Sequence, residues 1–565
     1  MPRPKFTMPI GVDNFQALRE KNYYFVDKTR FIKELLDGHS AVTLLTRPRR
    51  FGKTLTLSML RYFFTVEKAE GNRALFAGLD IEKAGEEYMQ AQGSRPVIFL
   101  TLKEVQQDSF DFELQKMAFT LSRLYQEFLF LQDSPAMNKT NLADFQQILN
   151  HTAGQPLMEN ALADLCRYLY LHYGKKPILL LDEYDAPIIA SWEYDYYKDC
   201  ILFMKRFLGV ALKTNDYLDF AVLTGVSRVS KESIFSDLNN LNVCSILSYK
   251  YSDILGFTDS EAEKLLSDNG VGNKMPELKM WYDGYQFGNT EIYNPWSVIK
   301  YVDNNCTFAP YWLNTSGNVI LRELLKRVDG QRREELTSLV SFKTVKAMID
   351  EGVIYPEIKE NTNALYMMLM TSGYLKAVKQ YQDRNFIDWC LLKIPNREVL
   401  SAYKREILTH LTGRAGEVLL YNMLDAMTEG RAADFQKYLR RVLRDMVSYH
   451  DTGEPEIFYH GLMLGLTVLM EGAYRVKSNR ESGYGRFDIA FFPVNIASPG
   501  VILELKAAKG ITATGDLQPL AEEALKQIRG KEYIAELTEQ GVKEIWRYGV
   551  AFSGKLVCLV SNGKE

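Results

Sequence analysis

Four short apolar runs, set between much longer stretches of helical periodicity, constrain this chain more than any other feature. They are AVTLL at 41–45, PVIFLTL at 96–102, PILLLD at 177–182 and DFAVLTG at 219–225. Unbroken apolar runs of this length read as parallel strands covered on both faces, whereas a strand with one wet face would alternate. Between the second and third runs, residues 104–174 follow a helical period, with Phe110, Leu114, Met117, Ala118, Leu121 and Leu124 on one stripe. The expectation is an α/β domain with a covered parallel sheet and long helical crossovers.

A chain of 565 residues exceeds what one hydrophobic core supports, so roughly three to four domains are expected. Three regions are assigned: an α/β domain over 1–275, a mostly helical lid or winged-helix-like region over 276–455, and a second α/β domain over 456–565. In the middle region, ALYMMLMTSGYLKAV and CLLKIPNREV read as strand-like pieces. The last region reads as a helix at 458–471, strands near YRVK, GRFDIAFFP and VILELKA, a helix at 516–539, then strands in EIWRYGVAFSG and KLVCLVS.

An apolar content of 46% and a charged content of 25% are those of ordinary globular chains. No run reaches the roughly 18 apolar residues of a membrane helix. Basic residues near the N-terminus have no apolar stretch behind them, so neither a secretory signal nor an anchor is expected, and the chain is placed in the cytoplasm with no membrane partner. The six cysteines are widely spaced without a C-x-x-C pair, which argues for reduced thiols rather than a zinc site or a disulfide framework. A net charge of −3 argues against indiscriminate coating of nucleic acid but leaves room for a local basic groove.

The first run leads into Thr46-Arg47-Pro48-Arg49-Arg50-Phe51-Gly52-Lys53-Thr54 and then a helical stretch to Phe64. Strand, tight loop and helix N-terminus in that order cradle phosphates with backbone N–H groups. Gly52, Lys53 and Thr54 suit β/γ-phosphate and Mg²⁺ contacts, although Arg47 stands where G-x-x-x-x-G-K-[ST] begins with glycine. The third run ends in Asp182-Glu183, which suits one carboxylate on Mg²⁺ and one polarising the attacking water. Arg228, after the fourth run, reads either as a γ-phosphate sensor or as a loop arginine paired with an acid such as Glu232. The cluster Arg47, Arg49 and Arg50 reads either as extra phosphate contacts or as a docking patch.

Near the C-terminus, Asp488 lies in GRFDIA and is followed by Glu504 and Lys506 in VILELK. Residues two apart on a strand share a face, so Glu504 and Lys506 project together, and Asp488 on the preceding hairpin-connected strand can join them. Two carboxylates can bind a divalent metal while the lysine stabilises charge on a scissile phosphate. The bland reading is an edge strand with a solvated E-x-K face, which the buried look of VILEL disfavours. Arg475, Lys477, Arg480 and Arg486 add a local basic excess around Asp488.

MPIGVDNFQALREKNYYFVDKTRFIKELL, VTLLTRPRRFGKTLTLSMLRYFF, LLLDEYDAPI, LTGVSRVSKESIFSDLNNL and WYDGYQFG…YNPWSV together resemble the AAA-ATPase-like family of bacterial proteins over roughly residues 5–300. The family's R-P-R-R-F-G-K-T form shares the arginine at position 47. The resemblance implies an ATP-binding domain with Lys53, Thr54, Asp182 and Glu183 at its phosphate and magnesium positions. YHGLMLGL, VKSNRESGYGRFDIAFFP, VILELKAAK and LKQIRGKEY resemble the PD-(D/E)XK nuclease superfamily over about 456–565. That resemblance implies Asp488, Glu504 and Lys506 as the metal and catalytic trio, with Gln527 supporting, Glu481 as a weaker extra acid, and His460 as a packing or substrate-orienting residue.

The function expected is an ATPase coupled to a Mg²⁺- or Mn²⁺-dependent nuclease on nucleic acid, DNA first. A role in defence or mobile-element biology would rest on the domain pairing alone. The alternative is a nucleotide-dependent switch whose C-terminal domain binds DNA or a protein without cutting, and either function is compatible with a homo-oligomer. The aromatic stretch WYDGYQFG at 281–288 reads as core packing in preference to base stacking.

Overall fold

The computed structural model describes residues 6–213, 215–227, 240–312, 321, 335–336, 338–340, 342–350, 352, 355–359, 361–412, 417–446, 470, 473–480, 486–508, 510–528 and 532–562. They fall into two compact units, one of Met1–Ile320 with Thr344–Leu400, the other of Leu321–Lys343 with Ser401–Glu565. Among the described residues no helix is long and apolar enough to cross a membrane. All six cysteines are unbridged, and five are buried.

In the first unit the four apolar runs become β1 (Val42–Thr46), β2 (Val97–Thr101), β3 (Ile178–Asp182) and β4 (Ala221–Gly225), with a short fifth strand, β5 (Leu241–Cys244), that sequence reading did not mark. All pair in parallel in the order β2-β3-β4-β1-β5. Every residue of β1, β3 and β4 is buried, as a sheet covered on both faces requires. Helices Phe110–Gln126, Lys139–Leu149 and Gln155–Tyr173 form the long crossover between β2 and β3. The Lys53–Phe64 helix buries Leu57, Leu60, Phe63 and Phe64 in a core shared with Leu45, Leu180 and Val222.

Beyond β5, the helices Asp259–Asp268, Met275–Tyr282 and Pro295–Asp303 enclose a small aromatic core, the first capped by a reciprocal Thr258–Glu261 box. A hairpin of β6 (Tyr285–Phe287) and β7 (Thr290–Ile292) sits between the last two. An antiparallel sheet of β8 (Val345–Met348), β9 (Lys376–Gln382) and β10 (Asp388–Lys393) follows, in the order β8-β10-β9. The strand-like reading of ALYMMLM is corrected here. Thr362–Thr371 is a helix, capped by the Asn361 side chain on the amides of Asn363 and Ala364, and strand begins only at Lys376. Ala364 through Met370 are all buried, so an all-apolar run carries no periodicity by which to choose helix over strand.

The second unit carries β11 (Tyr474–Arg480), β12 (Arg486–Pro493), β13 (Gly500–Ala507), β14 (Ile545–Ser553) and β15 (Leu556–Asn562), in sequential order across one sheet. Only β13 and β14 run parallel, joined through the helices Gln518–Ile528 and Glu532–Glu539, which lie within the stretch read as helical at 516–539. Alternation sorts the side chains of this sheet. Val501, Leu503, Leu505, Tyr548 and Val550 face the Glu417–Thr428 and Ala432–Met446 helices. Ile502 packs instead with Leu525 and Ile528 of the crossover helix. The helix expected at 458–471 lies outside the described residues apart from Met470.

Candidate functional site

β1 delivers the chain into a loop that only a special backbone can close. Gly52 has φ of 90° and Arg50 has φ of 71°, the left-handed region that glycine enters freely and other residues rarely do. The helix beginning at Lys53 then points its first N–H groups into the loop. Buried Lys53 donates from Nζ to the carbonyls of Arg47 and Pro48, both at 2.9 Å. Burial pulls its ammonium below the usual lysine range, opposed chiefly by Glu183 and then by Asp185 and Asp182.

Strand β3 brings the acids alongside. Thr54 Oγ1 donates to Asp182 Oδ2 at 2.8 Å, and Thr224 Oγ1, from β4, donates to Asp182 Oδ1 at 2.6 Å. Glu183 turns the chain at φ of 49° and lines a cavity of about 440 Å³ together with Arg49, Arg50, Gly52, Lys53 and Thr54. Burial raises the Glu183 carboxyl above its ordinary range, with Lys53 opposing the rise. A hydroxyl and a carboxylate side by side form the hard oxygen set that Mg²⁺ takes, and the loop amides with Lys53 suit a polyphosphate.

Of the sequence-marked residues, Arg49, Arg50, Gly52, Lys53, Thr54, Asp182 and Glu183 converge here. The two readings of Arg47 do not hold. Its side chain is fully buried, donates to the carbonyls of Thr46 and Cys244 at 2.8 Å and of Tyr251 at 2.9 Å, and lies over the Phe287 ring at 4.7 Å. It therefore contacts neither a phosphate nor a docking partner; it ties the loop base to β5. Burial lowers its guanidinium to about 10. Tyr285 and Phe287, from the aromatic stretch, are buried against Phe51 at 5.0 and 5.1 Å, so packing is their role. Arg50 lies over the Trp296 ring at 4.3 Å.

Sequence reading missed Asp185, although it lies within the DEYDAP stretch. Its buried carboxylate accepts from the amides of Val226 at 2.8 Å and Ser227 at 2.9 Å, fixing the chain just after β4. Gly225 is required there, because a Cβ would lie 2.7 Å from the Tyr184 ring and 2.9 Å from Asp185 Oδ1. Arg228, the sensor candidate, lies outside the described residues.

In the second unit Glu504 and Lys506 sit in the interior of β13, on the face of the Gln518–Ile528 helix. Glu504 is completely buried and Lys506 is 8% exposed. Asp488 on β12 stands directly opposite Glu504 in antiparallel register, and Arg486 opposite Lys506. Of Asp488 and Arg486 only the backbone is described. His460 and Glu481 lie outside the described residues, as do the side chains of Lys477 and Arg480.

The helix comes unusually close to the sheet at this level. Gly549 on β14 pairs with Glu504, and a Cβ on it would lie 2.1 Å from the Ala521 carbonyl oxygen and 2.5 Å from the Leu525 nitrogen. That approach brings Glu523 within 2.5 Å of Lys506 Nζ. Gln527, one turn on, donates to Glu523 Oε1 at 3.2 Å. The chemistry available is a buried strand-borne carboxylate beside a lysine that is itself clasped by a helix acid. Sequence reading marked Gln527 but not Glu523, which is spaced from Lys506 by no strand or helix period.

Comparison with known proteins agrees with both halves. Residues 9–235 match the family described as predicted AAA-ATPase, and residues 454–562 match the PD-(D/E)XK nuclease superfamily. A protein of Azotobacter chroococcum mcd 1, described as an uncharacterized protein in the vnfD 5′ region, is 27% identical over 561 residues, which span 97% of this chain and 96% of that one. The likeness therefore runs through both units, and the chain joins an AAA-ATPase-like domain to a C-terminal domain of the PD-(D/E)XK nuclease superfamily.

Proposed function

We propose that the chain binds and hydrolyses ATP in the first unit and cuts nucleic acid with a divalent metal in the second. The observation that carries the first half is the convergence of Lys53, Thr54 and Glu183 on one cavity, with Asp182 Oδ2 behind it accepting from Thr54 Oγ1 at 2.8 Å. In this reading Lys53 leaves the Arg47 and Pro48 carbonyls for the β/γ-phosphates, and Arg49 and Arg50 meet the polyphosphate from the cavity wall. Thr54 and Asp182 would hold Mg²⁺, which when bound would neutralise charge on the phosphate oxygens. Glu183, its carboxyl raised by burial, orients the attacking water. Arg228 is proposed as the charge-stabilising arginine.

In the second unit Asp488 and Glu504 are proposed as the metal carboxylates, and their opposition in register supports that reading. Bound metal would polarise the scissile phosphate. Lys506 meets the negative charge that develops there, and Gln527 supports it through Glu523. Glu504 is completely buried on the β13 face it shares with Lys506, which also supports this reading.

The test is cleavage of labelled single- and double-stranded DNA and RNA with Mg²⁺ or Mn²⁺, with and without ATP. Loss of cutting in Glu504→Ala, with altered cutting in Lys53→Ala, is the expected result and ties the two activities together. ATP turnover without metal-dependent cutting on any substrate would instead make the chain a nucleotide switch with a binding module. We propose a role in defence or mobile-element maintenance from the domain pairing alone; retained phage restriction in both Lys53→Ala and Glu504→Ala strains would reject it.

A further inference from the structure

A helix carboxylate reaches the Lys506 ammonium. Lys506 is 8% exposed, and its Nζ lies 2.5 Å from Glu523 Oε1. Glu523 is itself oriented from below by Gln527, one turn along the same helix, at 3.2 Å. Small residues make this reach possible. Gly549 and Ala551 are the β14 neighbours of Glu504 and Lys506, and the helix face laid over them presents Ala521 and Ala524, both fully buried. With a larger residue at 549 the helix would stand further off, and Glu523 would fall short of Lys506.

We propose that Glu523 is a positioning residue of the nuclease site, holding Lys506 over the Glu504 face while Gln527 fixes the Glu523 rotamer. The inference rests on the nuclease reading given above. A flexible four-carbon stem loses its catalytic worth when its charge wanders, and a misplacement of about 1 Å can cost ~10²-fold in rate. Glu523 acts through Lys506, and its side chain is half exposed, so replacing it leaves the core intact. The helix thereby turns a two-strand site into a three-element one, in which register sets Glu504 opposite Asp488 and helix proximity sets Lys506.

The experiment uses the full chain with Glu523→Gln, Lys506→Met and the double variant. It measures kcat, KM for a labelled oligonucleotide, and Mn²⁺ affinity by calorimetry. Glu523→Gln is expected to lower kcat by ~10-fold or more, with KM within about twofold and Mn²⁺ affinity unchanged, and to have no further effect in the Lys506→Met background. Unchanged kcat, or an equal loss in both backgrounds, would overturn the proposal. So would a fall in Mn²⁺ affinity parallel to that in kcat, which would make Glu523 a metal ligand instead. A second readout separates this inference from the nuclease reading: the rate at which an amine-reactive acylating reagent modifies Lys506, followed by mass spectrometry. Faster modification in Glu523→Gln sustains the pairing even if wild type cuts no substrate, and an unchanged rate refutes it.

Discussion

The two candidate sites are built in opposite ways. In the first unit the chemistry lies beyond the ends of parallel strands, on turns whose geometry is set by backbone torsions at Arg50, Gly52 and Glu183. In the second it lies in the interior of a strand, on side chains whose positions follow from register and from the approach of one helix. A loop-borne site concentrates its requirements in a contiguous motif, because neighbouring residues form it. A strand-borne site distributes them over whatever packs on the same face. The first should therefore fail when a local residue is changed, and the second also when a distant packing residue is.

The sharpest form of that contrast is a change in each site that leaves shape intact. Glu504→Gln is expected to lower metal-dependent cleavage by on the order of 10³-fold, measured on labelled DNA at saturating metal, while ATP turnover stays near wild type. Residual cutting above a tenth of wild type would remove Glu504 from the chemistry. Glu183→Gln is the counterpart. It is expected to slow ATP turnover by ~10²-fold with ATP affinity retained, read by phosphate release and by nucleotide binding. If affinity fell with turnover, Glu183 would belong to nucleotide binding.

Gly549→Ala tests whether the second site depends on packing by a residue remote from it in sequence. The added Cβ meets helix backbone at 2.1 and 2.5 Å, and backbone cannot rotate away as a side chain would. Overpacking of this kind costs about 1–3 kcal/mol, and the displaced helix should carry Glu523 off Lys506. Cleavage is expected to drop ~10-fold with ATP turnover unchanged. Wild-type cleavage in this variant would show that the helix does not set the site, and would erase the contrast between the two regions.

How much of this was legible follows the same division. The strands β1 to β4 announced themselves because a covered sheet needs unbroken apolar runs, and Gly52-Lys53-Thr54 and Asp182-Glu183 fall where those strands end. The E-x-K pair was legible from the two-residue alternation of one strand, and its partner Asp488 from a hairpin. Arg47 was not, because its acceptors Cys244 and Tyr251 lie about 200 residues away in sequence, and nothing local distinguishes a buried arginine from a phosphate-binding one. Glu523 escaped for the corresponding reason. It meets Lys506 across a helix–sheet interface, and Gly549, the residue that brings the two together, lies on a third element. The Thr362–Thr371 helix was misread because burial on every side left its sequence without a polar face.

The smallest expected effect concerns the support behind the first site, and it turns on pH. Trp312 donates its indole N–H to the Arg49 carbonyl at 3.1 Å, and its own amide is held by Glu398 Oε1 at 2.8 Å. Ser297 Oγ donates to the other Glu398 oxygen at 2.8 Å. Burial pushes the Glu398 carboxyl up to about 7, against an opposing pull from these donors. In an unfolded chain the same group titrates near ~4.3. Between roughly pH 4.3 and 7 the folded protein holds a proton that the unfolded one has released, so this group's contribution to stability is greatest below that window and declines as pH rises through it. Glu398→Gln removes the titration, keeps an acceptor for the Trp312 amide and offers Ser297 a donor. Its stability relative to wild type is expected to be about 2–3 kcal/mol more favourable at pH 8 than at pH 5, read as the difference in melting temperature at the two values. An equal gap at both would mean that Glu398 is ionised in the fold throughout, and that the loop-borne site is braced by a charge rather than by a neutral acid.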